Sequence, residues 1–211
     1  MSLLKSRPCR CPNNTIGYTN ALKRGLQATQ NYTIKPKKTM NRPQAFPTIS
    51  FAQKEDVHII HRLAEEIWYL HYPGIITVKQ IDYMLEQRYA PQEINRCLAS
   101  PACTWFKVFV EKKILGFGHF EESPSMRSVK VDKFYMHPKI QGRGCGATLM
   151  RFAEAHYGKL GFVRVWLQVN KGNENSIKFY QKVGYQTEKE VIIDIGQGFV
   201  MDDLIMSKMI S

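Results

Sequence analysis

The sequence predicts an α/β fold in which helices flank a central, twisted, mixed β-sheet. Three observations lead to this prediction. A hydrophobic run over 128–136 leads through a glycine-rich turn into a helical pattern, a second buried run over 163–169 follows that helix, and two hairpins flank the unit at 104–120 and 191–207. Strands joined by a helix pair in parallel with a right-handed crossover, whereas hairpin strands pair antiparallel. The sheet must therefore be mixed.

The remaining elements follow from local patterns. Residues 48–52 form a short strand, and apolar residues between 57 and 68 recur at helical spacing. Thr77 and Gln80 predict a capping box at the start of a second helix. The segment 173–183 has helical spacing and a stop at Gly184, and the last hairpin turns over 196–198.

Positive charge is concentrated at the N-terminus. The 211 residues include 30 Lys and Arg against 18 Asp and Glu, a formal net charge of +12. Nine of these basic residues and no acidic residue lie in 1–45, which leaves 21 basic against 18 acidic residues in 46–211. We interpret 1–45 as a basic, disordered extension and 46–211 as one folded domain. Three readings stay open for 1–39: translation from a start upstream of Met40, attachment to nucleic acid, or a transit peptide.

Composition excludes several other classes. No apolar run approaches the ~20 residues that cross a bilayer. The five cysteines are odd in number and irregularly spaced, which disfavours a disulfide framework and indicates a reducing, cytoplasmic location. Cys9 and Cys11 have no second pair to complete a zinc site, and no other metal-ligand spacing occurs. We expect no bound metal.

A glycine-rich turn is the strongest functional signal. Three glycines at alternate positions, Gly142, Gly144 and Gly146, follow Gln141 and open directly into a helix. Glycines let the backbone approach a ligand and point N–H groups inward, while the helix N-terminus and Arg143 add positive charge. This combination suits a pyrophosphate. The spacing fits neither a Walker loop nor a dinucleotide fingerprint.

A second motif lies downstream, where Asn170, Asn173, Ser176 and Tyr180 precede Gly184-Tyr185. Together the two motifs resemble those of the GCN5-related N-acetyltransferase (GNAT) family. That resemblance implies acetyl-CoA as co-substrate, with its pantetheine arm between strands 128–136 and 163–169. The implied cofactor-binding residues are Phe134, Tyr135, Met136, Gln141, Gly142, Arg143, Gly144, Cys145, Gly146, Asn170, Asn173, Ser176 and Tyr180.

The resemblance also implies two catalytic groups. The N–H of Met136 would polarise the thioester carbonyl, and Tyr180 would protonate the departing thiolate as general acid. The general base stays open. Lys130 stands where many histone-type relatives carry a glutamate, so Glu121, Glu122, Asp132 or a water relay are the alternatives.

The flanks resemble the acceptor side of bacterial Pai-type acetyltransferases, which act on spermidine and spermine. The resemblance lies in 67–85 and 194–206. It suggests an aromatic wall for a cation together with anionic partners, although core aromatics and surface carboxylates are an equal reading. The predicted acceptor residues are Trp68, Tyr69, Tyr72, Tyr83, Asp202 and Asp203.

The sequence therefore predicts a cytoplasmic acetyl-CoA-dependent N-acetyltransferase acting on a primary amine. A polyamine is the first candidate acceptor. Another small amine or amino-acid derivative, or a non-catalytic CoA-binding module, are the alternatives. The expected partner is a small-molecule amine and not a membrane or a nucleic acid, and a homodimer is compatible with the sequence.

Overall fold

The computed structural model describes residues 32–33 and 47–211. Five α-helices lie in this part of the chain: α1 (Val57–His71), α2 (Val78–Tyr89), α3 (Pro91–Ala99), α4 (Cys145–Lys159) and α5 (Glu174–Lys182). The strands are β1 (Tyr32–Thr33), β2 (Thr48–Phe51), β3 (Cys103–Val110), β4 (Lys113–Ser123), β5 (Ser128–Met136), β6 (Arg164–Asn170), β7 (Gln186–Gly196) and β8 (Phe199–Met209).

All eight strands belong to one mixed sheet, in the order β1-β2-β3-β4-β5-β6-β8-β7. Only β5 and β6 pair in parallel among these strands, and α4 connects them, as the sequence predicted. Every other neighbouring pair is antiparallel. The predicted α/β fold class is confirmed.

Each face of the sheet is covered by its own hydrophobic core. On one face, α1, α2 and α3 bury residues such as Ile60 and Trp68 against Trp105 and Phe117 of the sheet. On the other, α4 and α5 pack residues such as Leu149 and Tyr180 against the remaining inward side chains. The i, i+3, i+4 spacing of α1 places its apolar residues on the covered side.

The structure differs from the sequence prediction at three places. Helix α3 was not predicted, although Pro91 occupies its first turn and Ile94 is buried. The capping box is half formed, because the Thr77 hydroxyl accepts from the Gln80 N–H at 3.2 Å while the Gln80 amide side chain donates to the Val200 carbonyl. Tyr32–Thr33 pair with β2, although no regular structure was expected before residue 46. The rest of the predicted extension lies outside the described residues.

A β-bulge opens the sheet between its two parallel strands. His119 of β4 faces Lys133 while the next residue, Phe120, faces Val131, so Asp132 is the extra residue on β5. A bulge bends its strand and interrupts pairing. The β5–β6 ladder stops at Val131 and Leu167, and beyond that point the strands diverge. The gap that forms lies beside the C-terminal half of β5.

Within the described residues, no helix is both long enough and apolar enough to span a membrane.

Candidate active site

A cavity of about 1190 Å³ occupies the gap between β5 and β6. It extends from the glycine-rich turn, past both strands, to α1, α2 and the β7–β8 hairpin. Sixteen of the nineteen residues predicted for the site line it: Trp68, Tyr72, Tyr83, Phe134, Tyr135, Met136, Gln141, Gly142, Gly144, Cys145, Gly146, Asn170, Asn173, Ser176, Tyr180 and Asp203. Tyr69, Arg143 and Asp202 do not.

The glycine-rich turn has the backbone that an anion site needs. Gly142 and Gly144 have φ angles of +72° and +78°, which L side chains rarely adopt. A Cβ at either position would contact no heavy atom of the described residues within 4 Å. Gly144 is also the N-cap of α4, and no side chain caps this end. The first N–H groups of the helix are therefore available to a ligand.

The other residues of the turn differ in their contacts and in their burial. The Gln141 side chain donates to the Met136 carbonyl at 2.9 Å, which fastens the turn to the end of β5. Gly146 lies against Phe179, so it lets α4 and α5 approach closely. Burial raises the pKa of the Cys145 thiol and keeps it protonated. Arg143 is exposed and lies outside the cavity wall.

Two basic residues that the sequence analysis did not name line the cavity on the neighbouring helices. Arg151 lies on α4 and Lys182 at the end of α5. Arg151 is four residues after Ala147, which also lines the cavity, so helical spacing from the turn was the signal that could have found it. Both side chains add positive charge to the part of the cavity wall that contains the glycine-rich turn.

The edge of β5 that faces the gap carries backbone groups that do not pair with β4. The His137 N–H donates to the Leu115 carbonyl at 2.8 Å. Hydrogen-bonded and non-hydrogen-bonded pairs alternate along an antiparallel ladder. Met136, opposite Gly116, therefore directs its N–H and carbonyl away from β4 and towards the gap, and Phe134 does the same.

The second motif closes the cavity from the side of α5. Asn173 is the N-cap of α5, and its side chain accepts from the Ser176 N–H at 3.2 Å. The Asn170 side chain accepts from the Gly172 N–H at 2.9 Å. Tyr180 is buried one helical turn beyond Ser176, and burial raises the pKa of its hydroxyl well above the usual range. Tyr180 therefore keeps its proton at neutral pH.

An aromatic wall forms the opposite end of the cavity. Trp68 and Tyr72 are four residues apart on α1, and their ring centroids lie 4.4 Å apart. The Tyr72 hydroxyl lies 3.3 Å from that of Tyr135. Tyr89, which the sequence analysis did not name, packs against Trp68 and also lines the cavity. Tyr83 donates to the Ile195 carbonyl at 2.7 Å, which connects α2 to the β7–β8 hairpin.

Tyr69 lies on a different face of α1. Its side chain is 48% exposed and donates a hydrogen bond to Asp82. Neighbouring residues on a helix point about 100° apart, so Trp68 and Tyr69 do not share a face. The structure does not bring Tyr69 to the cavity.

The two adjacent aspartates of β8 also separate. Successive side chains on a strand point to opposite faces. Asp202 forms an ion pair with Lys171 at 2.8 Å and lies outside the cavity wall, whereas Asp203 lines the cavity and is 3% exposed. Burial, reinforced by the charge of Asp202 and opposed by Lys130, raises the pKa of Asp203 to about 6.

Asp132, at the bulge, is the centre of a buried ionic cluster. Arg88 donates to both of its oxygens, at 2.7 and 2.8 Å, and the ammonium groups of Lys130 and Lys133 lie 2.9 and 2.6 Å away. These cations hold the pKa of Asp132 well below its usual range despite its burial. Asp132 is therefore a poor proton acceptor. The other two base candidates, Glu121 and Glu122, do not line the cavity.

Cys103, His119 and Glu121 come together on β3 and β4, with ligand atoms within 4.8 Å of one another. The sequence analysis found no such cluster because the three residues are not at metal-ligand spacing. The Lys133 ammonium lies 3.4 Å from His119 Nδ1. A cation at this distance disfavours a divalent metal ion beside it.

This geometry defines a class of protein, namely mixed-sheet α/β proteins with a cavity between two diverging parallel strands, beside a glycine-rich turn. The chain belongs to the acetyltransferase (GNAT) family, whose sequence model matches residues 59–185. Over 60 residues the chain is 38% identical to an uncharacterised N-acetyltransferase of Mycobacterium tuberculosis, an alignment that covers 28% of this chain and 38% of that protein. It is 24% identical over 99 residues to a spermine/spermidine N(1)-acetyltransferase of Bacillus subtilis, covering 42% and 65%. The chain thus matches less than two thirds of the length of either relative.

The fold is shared with solved structures. The PaiA N-acetyltransferase of Thermoplasma acidophilum, determined in complex with coenzyme A, superposes with a TM-score of 0.67 at 22% identity. That match covers 77% of this chain and 98% of the other. At this identity the similarity is one of fold.

Proposed function

We propose that the protein is an acetyl-CoA-dependent N-acetyltransferase that acetylates a primary amine. One observation carries this proposal. The gap between β5 and β6 runs from the glycine-rich turn, where no side chain caps the N-terminus of α4, to the buried hydroxyl of Tyr180. The free N–H groups at the N-terminus of α4 suit a pyrophosphate, and the backbone groups of β5 that face the gap suit the amides of pantetheine. Membership of the acetyltransferase family supports the same reading.

Each step then has a candidate group. The N–H groups at the start of α4, with Arg151, hold the pyrophosphate. The Met136 N–H donates to the thioester oxygen and stabilises the negative charge that develops there. Tyr180, protonated at neutral pH, donates its proton to the leaving sulfur. Bound acetyl-CoA supplies the activated acyl group.

A polyamine is the first candidate acceptor. The aromatic wall of Trp68, Tyr72 and Tyr83 and the buried carboxylate of Asp203 supply π faces and negative charge for an ammonium group. The name of the Bacillus relative and the resemblance of 67–85 and 194–206 to Pai-type enzymes support this class.

A second candidate is an amine that also carries a carboxylate, such as an amino-acid derivative. Arg88 and Lys130 line the same cavity, and together with Lys133 they place three cations around the single carboxylate of Asp132. Glu121 faces Lys130 across the sheet and interacts with it electrostatically. Arg88 and Lys130, on the cavity wall, would interact with the carboxylate of such an acceptor.

An amine panel tests the proposal. Acetyl-CoA is incubated with spermidine, cadaverine and lysine, and the free thiol is measured; cadaverine and lysine differ only in the carboxylate. Release of thiol with any amine supports the enzyme, and the ratio of kcat/KM for cadaverine to that for lysine separates the two acceptor classes. Calorimetric binding of acetyl-CoA without thiol release from any amine would favour the non-catalytic module.

We further propose that the enzyme works in the cytoplasm without a bound metal, and that it forms a homodimer. The cysteine pattern and the absence of metal-ligand spacing in the sequence support the first two points. The exposed edge strand β7 supports the third.

A further inference from the structure

Asp203 is a buried carboxylate that lines the cavity. It lies on β8 between Asn170 of β6 and Val191 of β7, at the level where the β5–β6 gap opens. Its side chain lines the cavity, it is 3% exposed, and its Oδ1 has no hydrogen-bond partner in the described part of the chain. Burying an ionised group without a partner costs free energy. Such a group in a cavity wall therefore indicates a role in binding or catalysis.

The other carboxylates on the cavity wall are occupied or open to water. Asp132 is held by Arg88, Lys130 and Lys133. Asp194 is exposed and accepts from the Gly196 N–H at 2.8 Å. Of the three carboxylates that line the cavity among the described residues, Asp203 alone is both buried and without an ion-pair partner in that part of the chain.

Asp203 faces the same space as the predicted general acid. Burial raises the pKa of the Tyr72 hydroxyl, and the negative charge of Asp203 adds to that rise. Tyr72, Asp203 and Tyr180 all line the cavity. The carboxylate belongs to β8 and the Tyr180 hydroxyl to α5, so two separate elements bring them to the cavity wall.

We propose that Asp203 is the proton acceptor that converts the acceptor ammonium group into a free amine. This inference rests on the proposed acetyl transfer. Asp203 takes one proton from R–NH₃⁺, and the nitrogen lone pair then forms the C–N bond at the thioester carbon. The C–S bond breaks, the sulfur receives the Tyr180 proton, and Tyr180 regains a proton from the nitrogen of the new amide. The proton on Asp203 leaves to solvent, so one H⁺ is released per turnover.

The surrounding charges suit this role. The pKa of Asp203, about 6, leaves it ionised at neutral pH but more basic than an ordinary aspartate. Asp202 on its own strand raises that value, and Lys130 from β5 lowers it. Tyr72 and His71 face the cavity from α1. The cations around Asp132 lower the pKa of an ammonium group held nearby, which brings the two pKa values closer together.

Asp203→Asn tests the role, and Asp202→Asn is the matched control on the neighbouring residue. For the wild type with its best amine, kcat/KM should fall on the acid side with an apparent pKa of about 6. Asp203→Asn should lower kcat/KM on the order of 10²-fold at neutral pH and remove this acid limb. Its remaining activity should keep rising with pH as more free amine forms. Asp202→Asn should keep the rate at neutral pH and retain the acid limb, displaced to lower pH because the Asp202 charge no longer raises the pKa of Asp203.

A second measurement does not require turnover. Carbon-13 NMR of selectively labelled aspartate carboxyls, in the complex with coenzyme A, should contain a signal that titrates at about 6 and is missing in Asp203→Asn. A titration near the ordinary ~3.9 would overturn the proposal. So would an Asp203→Asn variant that raises only KM for the amine and retains the acid limb, because Asp203 would then be an anchor. Failure of the wild type to release thiol with every amine would overturn the acetyltransferase proposal itself, whatever the NMR result.

Discussion

Burial acts on two residues of this cavity in the same direction but with different chemical results. It raises the pKa of the Tyr180 hydroxyl, so the tyrosine stays protonated at neutral pH. It also raises the pKa of the Asp203 carboxyl to about 6, which is closer to neutral pH than the pKa of an ordinary aspartate. A site with one group that gives a proton and one that takes a proton follows from this difference.

Tyr180→Phe removes one hydroxyl and keeps the ring. If the hydroxyl protonates the leaving sulfur, kcat should fall about 10²-fold or more with little change in KM for acetyl-CoA, since the interaction matters mainly as the C–S bond breaks. Tyr185→Phe is the control, because that buried hydroxyl binds Glu154 outside the cavity. Steady-state kinetics would check both variants, and a nearly unchanged kcat in Tyr180→Phe would mean that another group donates the proton.

Gly144→Glu places a charged side chain in the anion-binding turn. We expect acetyl-CoA binding to be lost, because the new carboxylate occupies the phosphate position and repels it. Gly161→Glu controls for backbone strain, since Gly161 also has a positive φ, of +86°, and lies outside the cavity. Both variants should lose similar stability, while calorimetry should detect loss of binding in Gly144→Glu alone. Equal affinity in the two would remove the turn from the cofactor site.

Asp203→Asn should make the protein more stable at alkaline pH even though it is less active. The folded pKa of Asp203 lies above its ordinary value of 3.8, so the folded state binds more protons between these values and stability falls as pH rises through about 6. At about pH 8 the variant should gain about 1–2 kcal/mol, a figure reduced for partial solvent screening, and at about pH 4 the gain should vanish. Urea unfolding at the two pH values checks this. A loss of stability at the higher pH would contradict it.

At the scale of secondary-structure elements, the bulge at Asp132 shapes the site. The β5–β6 ladder ends at the bulge, and the extra residue reverses which faces of the sheet the later side chains of β5 point to. Asp132 itself lies in a cluster of cations. Because the ladder ends there, the N–H groups of Phe134 and Met136 face the gap. The same feature thus opens the gap between β5 and β6 and sets the charge beside it.

Two truncations separate the contributions of the N-terminal segment. Removing 1–30 keeps β1, whereas removing 1–39 deletes it and exposes the edge of β2. We expect acetyl transfer near wild type in both, because neither β1 nor β2 contributes to the cavity wall. The longer truncation should show a slightly lower midpoint in thermal unfolding. A large fall in kcat/KM after removal of 1–39 alone would place that segment in the site.

At the scale of the whole molecule, β7 is the exposed edge of the sheet. It is eleven residues long, and Ile192 on it is 73% exposed. Long, uncovered edge strands with apolar side chains pair readily with another chain. We therefore expect a homodimer through β7 that Ile192→Lys weakens. Ile59→Lys, at an exposed isoleucine of α1, is the control. Sedimentation equilibrium would measure both, and a monomeric wild type would refute the assembly.

The sequence by itself determined the fold class, and it predicted the residues of the candidate cofactor site. The turn over 141–146 and the motif over 170–180 are continuous stretches whose glycines and caps fix the local backbone. Tertiary structure decided which residues meet at the other end of the cavity, where α1, α2, β5 and β8 bring together distant parts of the chain. Strand register alone separated Asp203 from Asp202, and helix rotation separated Tyr72 from Tyr69. The cations that neutralise Asp132 come from α2 and β5, so its unsuitability as a base could be recognised only after those elements had packed together.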